Sequence, residues 1–497
     1  MAVANPLFDA LFAPLSGRGD ALLILPDGAR IAGDAFLRLV ARQAHALRAA
    51  GVGPGDRIAA LAAKSPEALA LYGAALALGA VLVPFNPGCS DDEAAHLLGD
   101  AAPRAVVCDP ARAAALSARA VRGAAMLTLG ADGTGSLAEA AAGLPGAVAP
   151  APRAPDDLAA LLYTSGTTGR PKGAMLTHAN LLSNARALAD LWRFGPGDVL
   201  LHALPIFHTH GLFVACNVGL LTGGALLFLP GFDAGAVLRL LPRATAMMGV
   251  PTFYTRLLAE PGLTRAAVAG VRLFVSGSAP LPEATHRAFE RRTGHRILER
   301  YGMTETSMIA SNPHDGERRA GAVGLPLPGV EVRIADPGAD GAGGIEVRGP
   351  NVFRGYWRMP GKTAEAMRPG GWFATGDIGR FDADGYLSIV GRSTDLVITG
   401  GFNVYPREVE AVLDALPGVR ESAVIGLPHP DLGEAVFAAV VADPGTEVAT
   451  LEAGMAERLA RYKRPKGCAL MEALPRNAMG KVQKAALRAA FAGRFTG

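Results

Sequence analysis

The chain has 497 residues, half of them hydrophobic, enough for a large core divided among roughly two to four domains. Its formal net charge of +3 is too small to call for nucleic acid or an anionic membrane as a partner. Four scattered cysteines, Cys89, Cys108, Cys216 and Cys468, form no CxxC pair, which excludes a disulfide frame or a zinc-ribbon site. With no basic n-region and no Arg-rich transit character at the N-terminus, the expected location is cytoplasmic.

In chain order, a helix is expected over 35–50, a strand over 58–61, a helix over 67–78 and strands over 81–83 and 105–108. Two uncharged runs, 68–85 and 212–229, are about long enough to span a bilayer. Each breaks into a helix-like half and a β-like half, so a helix feeding a buried parallel strand explains both, and no membrane partner is expected. Residues 158–163 read as a buried strand, a polar loop follows, and a helix starts near His178. Strands at 200–203 and 225–229 continue the alternation, which argues for α/β architecture with largely parallel sheets. From Val330 the pattern changes to short alternating strands with Pro/Gly turns, at 331–334, 344–348, 371–377 and 385–390. A boundary is expected at 391/392, giving a large N-terminal unit, 1–391, and a mobile α+β unit, 392–497. The second unit has helices at 406–416 and 447–460, strands at 422–426 and 437–441, and a basic tail.

The most specific string is Tyr163-Thr-Ser-Gly-Thr-Thr-Gly-Arg-Pro-Lys172. Residues 164–169 are only hydroxyls and glycines, which let backbone N–H groups close on an anion. Arg170 and Lys172 add charge suited to phosphate. It is not a Walker loop, because Lys does not directly follow the second glycine. A loop for a nucleoside triphosphate is the reading.

Four further strings follow in order: Tyr301-Gly-Met-Thr-Glu305, Trp372-Phe-Ala-Thr-Gly-Asp377, Gly391-Arg-Ser-Thr-Asp395 and Pro475-Arg-Asn-Ala-Met-Gly-Lys481. Together they resemble the acyl-adenylate-forming family of acyl-CoA synthetases, luciferases and peptide-synthetase adenylation domains, over nearly the whole chain. The resemblance implies ATP and Mg²⁺ as cofactors, an acyl-AMP intermediate, and coenzyme A as acceptor. It gives the phosphate loop as Thr164, Ser165, Gly166, Thr167, Thr168, Gly169 and Lys172. It places Tyr301 and Gly302 at adenine, Thr304 at the α-phosphate, Glu305 with Thr164 at Mg²⁺, Asp377 at the ribose, and Arg392 at the ribose or a phosphate. Lys481 is the lysine that reaches the transferred phosphoryl group, Asp395 the hinge, and Gly400 and Gly401 the turn that meets the thiol.

The acid is read from two segments. Pro205-Ile-Phe-His208-Thr-His210-Gly211 puts His208 at the family position beside the acyl site and adds His210 as an extra donor. Val250-Pro-Thr-Phe-Tyr-Thr-Arg256 places one Arg inside an apolar stretch. It reads either as a side chain snorkelling to water or as a guanidinium on the pocket floor that pairs with a second carboxylate. Ser276 and Ser278 add polar lining, toward the acid and the nucleotide respectively. Both segments resemble the malonyl-CoA synthetase subgroup. The expected reaction joins a small dicarboxylate, malonate or methylmalonate, to coenzyme A; a fatty or aryl acid by the same two steps is the alternative. Oligomeric state is not legible.

Overall fold

The computed structural model describes residues 5–119, 123–164, 171–400, 402–477 and 480–495. Within them the strands form four sheets. The first has the order Ala125–Thr128, Ala105–Cys108, Arg57–Leu61, Val81–Pro84, Leu158–Thr164, Lys172–Thr177. All its pairs are parallel except the last, which is antiparallel.

The second sheet, of nine strands among the described residues, is parallel through its centre. Its central order is Leu298–Met303, Leu273–Ser276, Ala246–Gly249, Val199–His202, Ala225–Phe228, Ala21–Ile24.

The helix Pro66–Leu78 shows why the apolar runs stay in the protein. Ser65 caps it by accepting from the Ala68 N–H, Pro66 opens it, and Gly79 at φ 65° ends it. It is buried on nearly every side and feeds the strand Val81–Pro84. In the second run, a π-helical segment His210–Cys216 and a short helix Asn217–Thr222 lead into the strand Ala225–Phe228. Among the described residues no helix is long and apolar enough to cross a membrane. The α/β class and the expected alternation hold.

The region after Val330 is a five-stranded antiparallel sheet among the described residues. Glu331–Ala335, Gly343–Arg348 and Trp372–Phe381 form its body, and Leu387–Arg392 pairs with Trp372–Phe381. A fourth sheet begins at Val397–Thr399. Its centre is a long hairpin, Val419–His429 with Gly433–Ala442, several residues longer than the strands expected there. The chain therefore crosses from one sheet to the next over 393–396. We propose the domain division at this crossing, with Arg392 still paired to the first unit. Asp395 sits in the crossing and accepts from Arg488 Nη2 at 2.5 Å, on the helix Lys484–Phe491.

One expectation is corrected. The loop after Thr164 does not run directly into a helix. Lys172–Thr177 is a strand that returns against Leu158–Thr164, with Thr164 opposite Lys172. Thr177 then caps the helix His178–Leu191 through a reciprocal pair with Asn180. The two described strands pair antiparallel on either side of the loop. Its residues Ser165, Gly166, Thr167, Thr168 and Gly169 lie outside the described residues, as does Gly401.

Candidate active site

The site gathers around the C-terminal ends of the parallel strands, where open α/β sheets expose loops to a ligand. The strand Leu298–Met303 turns back into Ser307–Ser311, and Thr304 and Glu305 sit in that turn. The turn depends on Gly302. A Cβ there would stand 2.1 Å from the Ser307 carbonyl oxygen, so a side chain cannot be fitted.

Tyr301 donates through its hydroxyl to Asp377 Oδ2 at 2.6 Å, and Arg392 Nε donates to Asp377 Oδ1 at 3.0 Å. Asp377 and Arg392 face one another across paired strands. Burial, then the Asp377 charge, holds the Tyr301 phenol well above its ordinary range. Asp377 is 5% exposed. Three of the residues expected at the nucleoside are thus joined in one network.

A second group forms at the phosphate end. Glu305 is buried, and its Oε1 accepts from the Tyr356 hydroxyl at 2.9 Å. The Lys172 ammonium lies over the Tyr356 ring, 4.5 Å from its centroid. Thr164, opposite Lys172, donates to the Lys172 carbonyl at 3.4 Å. Among the described residues no three acidic, His or Cys side chains converge into a metal cage. Among the described residues the Glu305 carboxylate hydrogen-bonds only to the neutral Tyr356 hydroxyl, which leaves its charge to meet a cation carried in on a triphosphate. Mg²⁺ is commonly held this way, by one or two carboxylates and phosphate oxygens.

Lys481 enters from the C-terminal unit. Crowding by protein, then the Arg392 and Arg300 charges, push its ammonium down to about 8, against the opposing pull of Asp377 and Glu305. The side chain nevertheless remains open to solvent. The next residue back, Gly480, lies against Thr252, 3.6 Å from its hydroxyl to a Cβ built on the glycine. Lys481 therefore stands within electrostatic reach of Asp377, Arg392 and Glu305. The turn at Gly400 does not: Phe402 beside it is 55% exposed and stacks on Tyr462 at 4.7 Å.

On the acid side, His208 is pushed down to about 3 by burial and then by Lys481, and its Nε2 has no partner among the described residues. His210 is 3% exposed, and its Nδ1 lies 3.2 Å from the Ser278 hydroxyl. Burial, then Arg300 and the neighbouring histidines, hold it neutral, with Nε2 unpartnered among the described residues. Ser276, at a strand end, is fully buried, and its hydroxyl has no partner among the described residues. The π-helical segment behind the histidines packs too closely for a side chain at Gly211, where a Cβ would meet the Pro205 carbonyl at 1.9 Å. The Gly211 carbonyl faces His202 Nε2 at 2.8 Å.

Arg256 is not on an apolar floor. It lies on the helix Pro251–Ala259, exposed, with its guanidinium 5.1 Å from the Phe232 ring centroid. The premise of burial is overturned; of the two readings, the exposed one describes its environment. No carboxylate of the described residues pairs with it. It is one helical turn from Thr252, on the face that meets the Lys481 loop.

Three groups escaped the sequence reading. Tyr356 ties Lys172 to Glu305. Lys64 donates to His202 Nδ1 at 2.7 Å and to the His202 carbonyl at 2.8 Å, beneath the histidine segment. Arg300 is 3% exposed with no ion pair among the described residues. The available signal was two charges, Glu299 and Arg300, inside a strand with apolar neighbours, immediately before the Tyr301 string.

With this geometry in view, the family models described as AMP-binding enzyme and AMP-binding enzyme C-terminal domain match residues 16–357 and 408–481. The chain belongs to the family of AMP-binding enzymes. ATP-bound MatB from Rhodopseudomonas palustris is 51% identical over 99% of this chain and 100% of its own, with a TM-score of 0.97. The apo form of that protein, at the same identity and coverage, gives 0.85. The arrangement described here is nearer the ATP-bound form. Among curated relatives, a malonate–CoA ligase from Arabidopsis thaliana is 42% identical, covering 67% of this chain and 60% of its own length. A feruloyl-CoA synthase from an Amycolatopsis species is 38% identical, covering 91% and 92%.

Proposed function

We propose that this chain activates malonate, with methylmalonate as its near variant, and transfers the acyl group to coenzyme A. At the coarser level the chain is an ATP-using, AMP-forming acid–CoA ligase. In the first step a substrate carboxylate oxygen attacks the α-phosphorus of ATP and pyrophosphate leaves. In the second the coenzyme A thiol attacks the acyl carbonyl and AMP leaves.

The residues divide the work by position. Tyr301, Gly302, Asp377 and Arg392 hold the nucleoside, with the Asp377 carboxylate turned to the ribose hydroxyls. Thr164, the loop 165–169 and Lys172 cradle the phosphates, and Ser278 borders the nucleotide. Glu305, with Thr164, would hold Mg²⁺, which when bound absorbs charge on the leaving pyrophosphate. Thr304 donates to the α-phosphate. Lys481 reaches the phosphoryl group being transferred and aligns it for in-line attack. Neutral His208, unpartnered at Nε2, lines the path of the acyl group. Asp395 is the hinge about which the C-terminal unit turns, carrying Gly400 and Gly401 toward the thiol.

For malonate, the supporting observation is Arg256. It is a guanidinium with no carboxylate partner among the described residues, steadied on Phe232, on the helix that meets the Lys481 loop. A second carboxylate is its natural partner, and His210 and Ser276 add donors. The malonate–CoA ligase relative supports the same acid, whereas the feruloyl-CoA synthase relative keeps an aryl acid as the competing outcome.

The test is pyrophosphate release with ATP, Mg²⁺ and a panel of acids, with and without coenzyme A. Malonate-dependent release, with malonyl-CoA formed only when the thiol is present, is expected, together with its loss in Arg256→Ala. Release with ferulate or octanoate but not malonate would discard the acid and keep the mechanism.

A further inference from the structure

The segment 353–357 joins the two halves of the phosphate end. The Phe353 N–H donates to the Glu305 carbonyl at 2.8 Å, in the turn that carries Thr304 and Glu305. The chain then runs along the strand Lys172–Thr177. The Arg354 N–H donates to the Met175 carbonyl at 3.0 Å, the Met175 N–H to the Gly355 carbonyl at 3.0 Å, and the Trp357 N–H to the Gly173 carbonyl at 2.7 Å. Tyr356 lies opposite Ala174 in that antiparallel pairing. Its ring packs edge-on against Phe353, with centroids 4.8 Å apart, and the residue is 5% exposed. Backbone and ring are thus both fixed.

The side chain held in this way has two chemically different parts, and each meets one charge. The Lys172 ammonium lies over the ring, 4.5 Å from its centroid, where the electron-rich face attracts a cation. The hydroxyl at the ring edge donates to Glu305 Oε1 at 2.9 Å. Among the described residues neither Lys172 nor Glu305 is in an ion pair; each has this neutral side chain as its partner instead. Opposite charges brought close in a partly buried site attract each other. An ammonium and a carboxylate paired together would be lost to a ligand, the first to a phosphate oxygen and the second to a cation. A neutral partner holds the position of a charge without cancelling it.

We propose that Tyr356 is a positioning residue that keeps Lys172 and Glu305 apart, its ring face holding the ammonium and its hydroxyl the carboxylate, so that both charges stay available to ATP and the cation it carries. This rests on reading Lys172 as a phosphate contact and Glu305 as the carboxylate for Mg²⁺. It adds how the two are kept from neutralising each other.

The test is equilibrium binding of ATP by titration calorimetry, without acid or coenzyme A, so that nothing turns over, at Mg²⁺ concentrations from none to saturating. Tyr356→Phe keeps the ring face and removes the hydroxyl. It is expected to raise the Mg²⁺ concentration for half-maximal ATP affinity about tenfold or more, as loss of a group that orients a metal-binding carboxylate does. Its Mg²⁺-free ATP affinity should stay within about threefold of wild type, because Lys172 keeps its seat. Tyr356→Leu removes both parts and lets Lys172 meet Glu305, so Mg²⁺-free affinity should also fall, at least about fivefold. Glu305→Gln removes the carboxylate with which Lys172 would then pair. It should raise Mg²⁺-free ATP affinity at least about threefold more in the Tyr356→Leu background than in wild type, a coupling that a packing role does not produce.

An unchanged Mg²⁺ dependence in Tyr356→Phe would overturn the role of the hydroxyl. Additive effects of Tyr356→Leu and Glu305→Gln would overturn the separation of charges and leave Tyr356 as a packing residue. Should Tyr356→Leu not fold, Tyr356→Phe decides alone: the proposal stands on the raised Mg²⁺ requirement and falls without it. If ATP binding to wild type does not respond to Mg²⁺, the reading of Glu305 has failed first, and this proposal with it. The identity of the acid does not enter, since none is present.

Discussion

The position of Lys481 makes a quantitative pH prediction. Its ammonium is pushed down to about 8 from an ordinary 10.5, first by crowding and then by Arg392 and Arg300. The cationic form is the one that can reach a phosphoryl group. On that basis roughly nine-tenths of the free enzyme is competent at pH 7 and roughly one-tenth at pH 9. kcat/KM for ATP in the adenylation half-reaction should therefore fall about tenfold across that interval, since this parameter reports the free enzyme. The assay is malonate-dependent pyrophosphate release without coenzyme A. The limb in kcat should lie higher, because bound triphosphate favours the ammonium. Lys481→Arg should be slow but show no limb in this range, a guanidinium being protonated throughout. Arg392→Gln, by removing a depressing cation, should move the wild-type limb upward. A kcat/KM that stays level to pH 9.5, or a limb equally present in Lys481→Arg, would refute the reasoning.

Three further outcomes follow from the same geometry. Asp377→Asn removes the charge that accepts from Tyr301 and Arg392 and should raise KM for ATP roughly tenfold to a hundredfold, with KM for malonate little changed in steady-state kinetics. Gly302→Ala forces a Cβ against the Ser307 backbone 2.1 Å away and should lower stability by about 1–3 kcal/mol, read by denaturant unfolding, with loss of ATP-induced stabilisation. Half-buried Lys64 is pushed down by burial to about 7 from an ordinary 10.5, so between those values the unfolded chain binds more protons than the folded one. Wild-type stability should therefore gain a rising contribution from pH 7 to 10, and Lys64→Met should flatten that slope in unfolding measured at several pH values; an identical slope in both would place the titrating group elsewhere.

How much of this was legible follows the physics of each signal. The parallel α/β sheets show because buried strands and their helices differ in period and length, as at 66–84, where a cap, a proline and a glycine mark the joints. The Tyr301, Asp377, Arg392 and Lys481 set could be named because each sits in a dense string. That strand pairing brings Asp377 to Arg392, and that the last unit brings Lys481 to both, is a property of tertiary structure that no string contains. The antiparallel pairing of Lys172–Thr177 was missed because that strand is short and half of it resembles the helix start that follows. The acid side was least legible. Arg256 drew attention as a cation among apolar residues, yet the helix turns it outward. The buried cation is Arg300, whose burial depends on a missing side chain at Gly277, distant in sequence.

Lys64, Lys481 and Arg300 share a pattern that explains why the site is built at a loss. Each is a cation pushed down, to about 7, 8 and 9 respectively, Lys64 and Arg300 mainly by burial and solvent-open Lys481 by the protein crowded around it and by neighbouring cations, and none is in an ion pair with a carboxylate of the described residues. A protein selected for stability alone would pair or replace such groups. On the proposed reading, the charges that favour Lys481 belong to the bound triphosphate. Anions that bind only the assembled site stabilise that arrangement in proportion to their occupancy. The likeness to the ATP-bound form of a relative, above that to its apo form, fits a C-terminal unit held inward by Lys481. Loss of pyrophosphate removes the largest of those anions. On the proposed reading, the electrostatics that close the site for adenylation would then favour its opening, the movement proposed above for the thioester step.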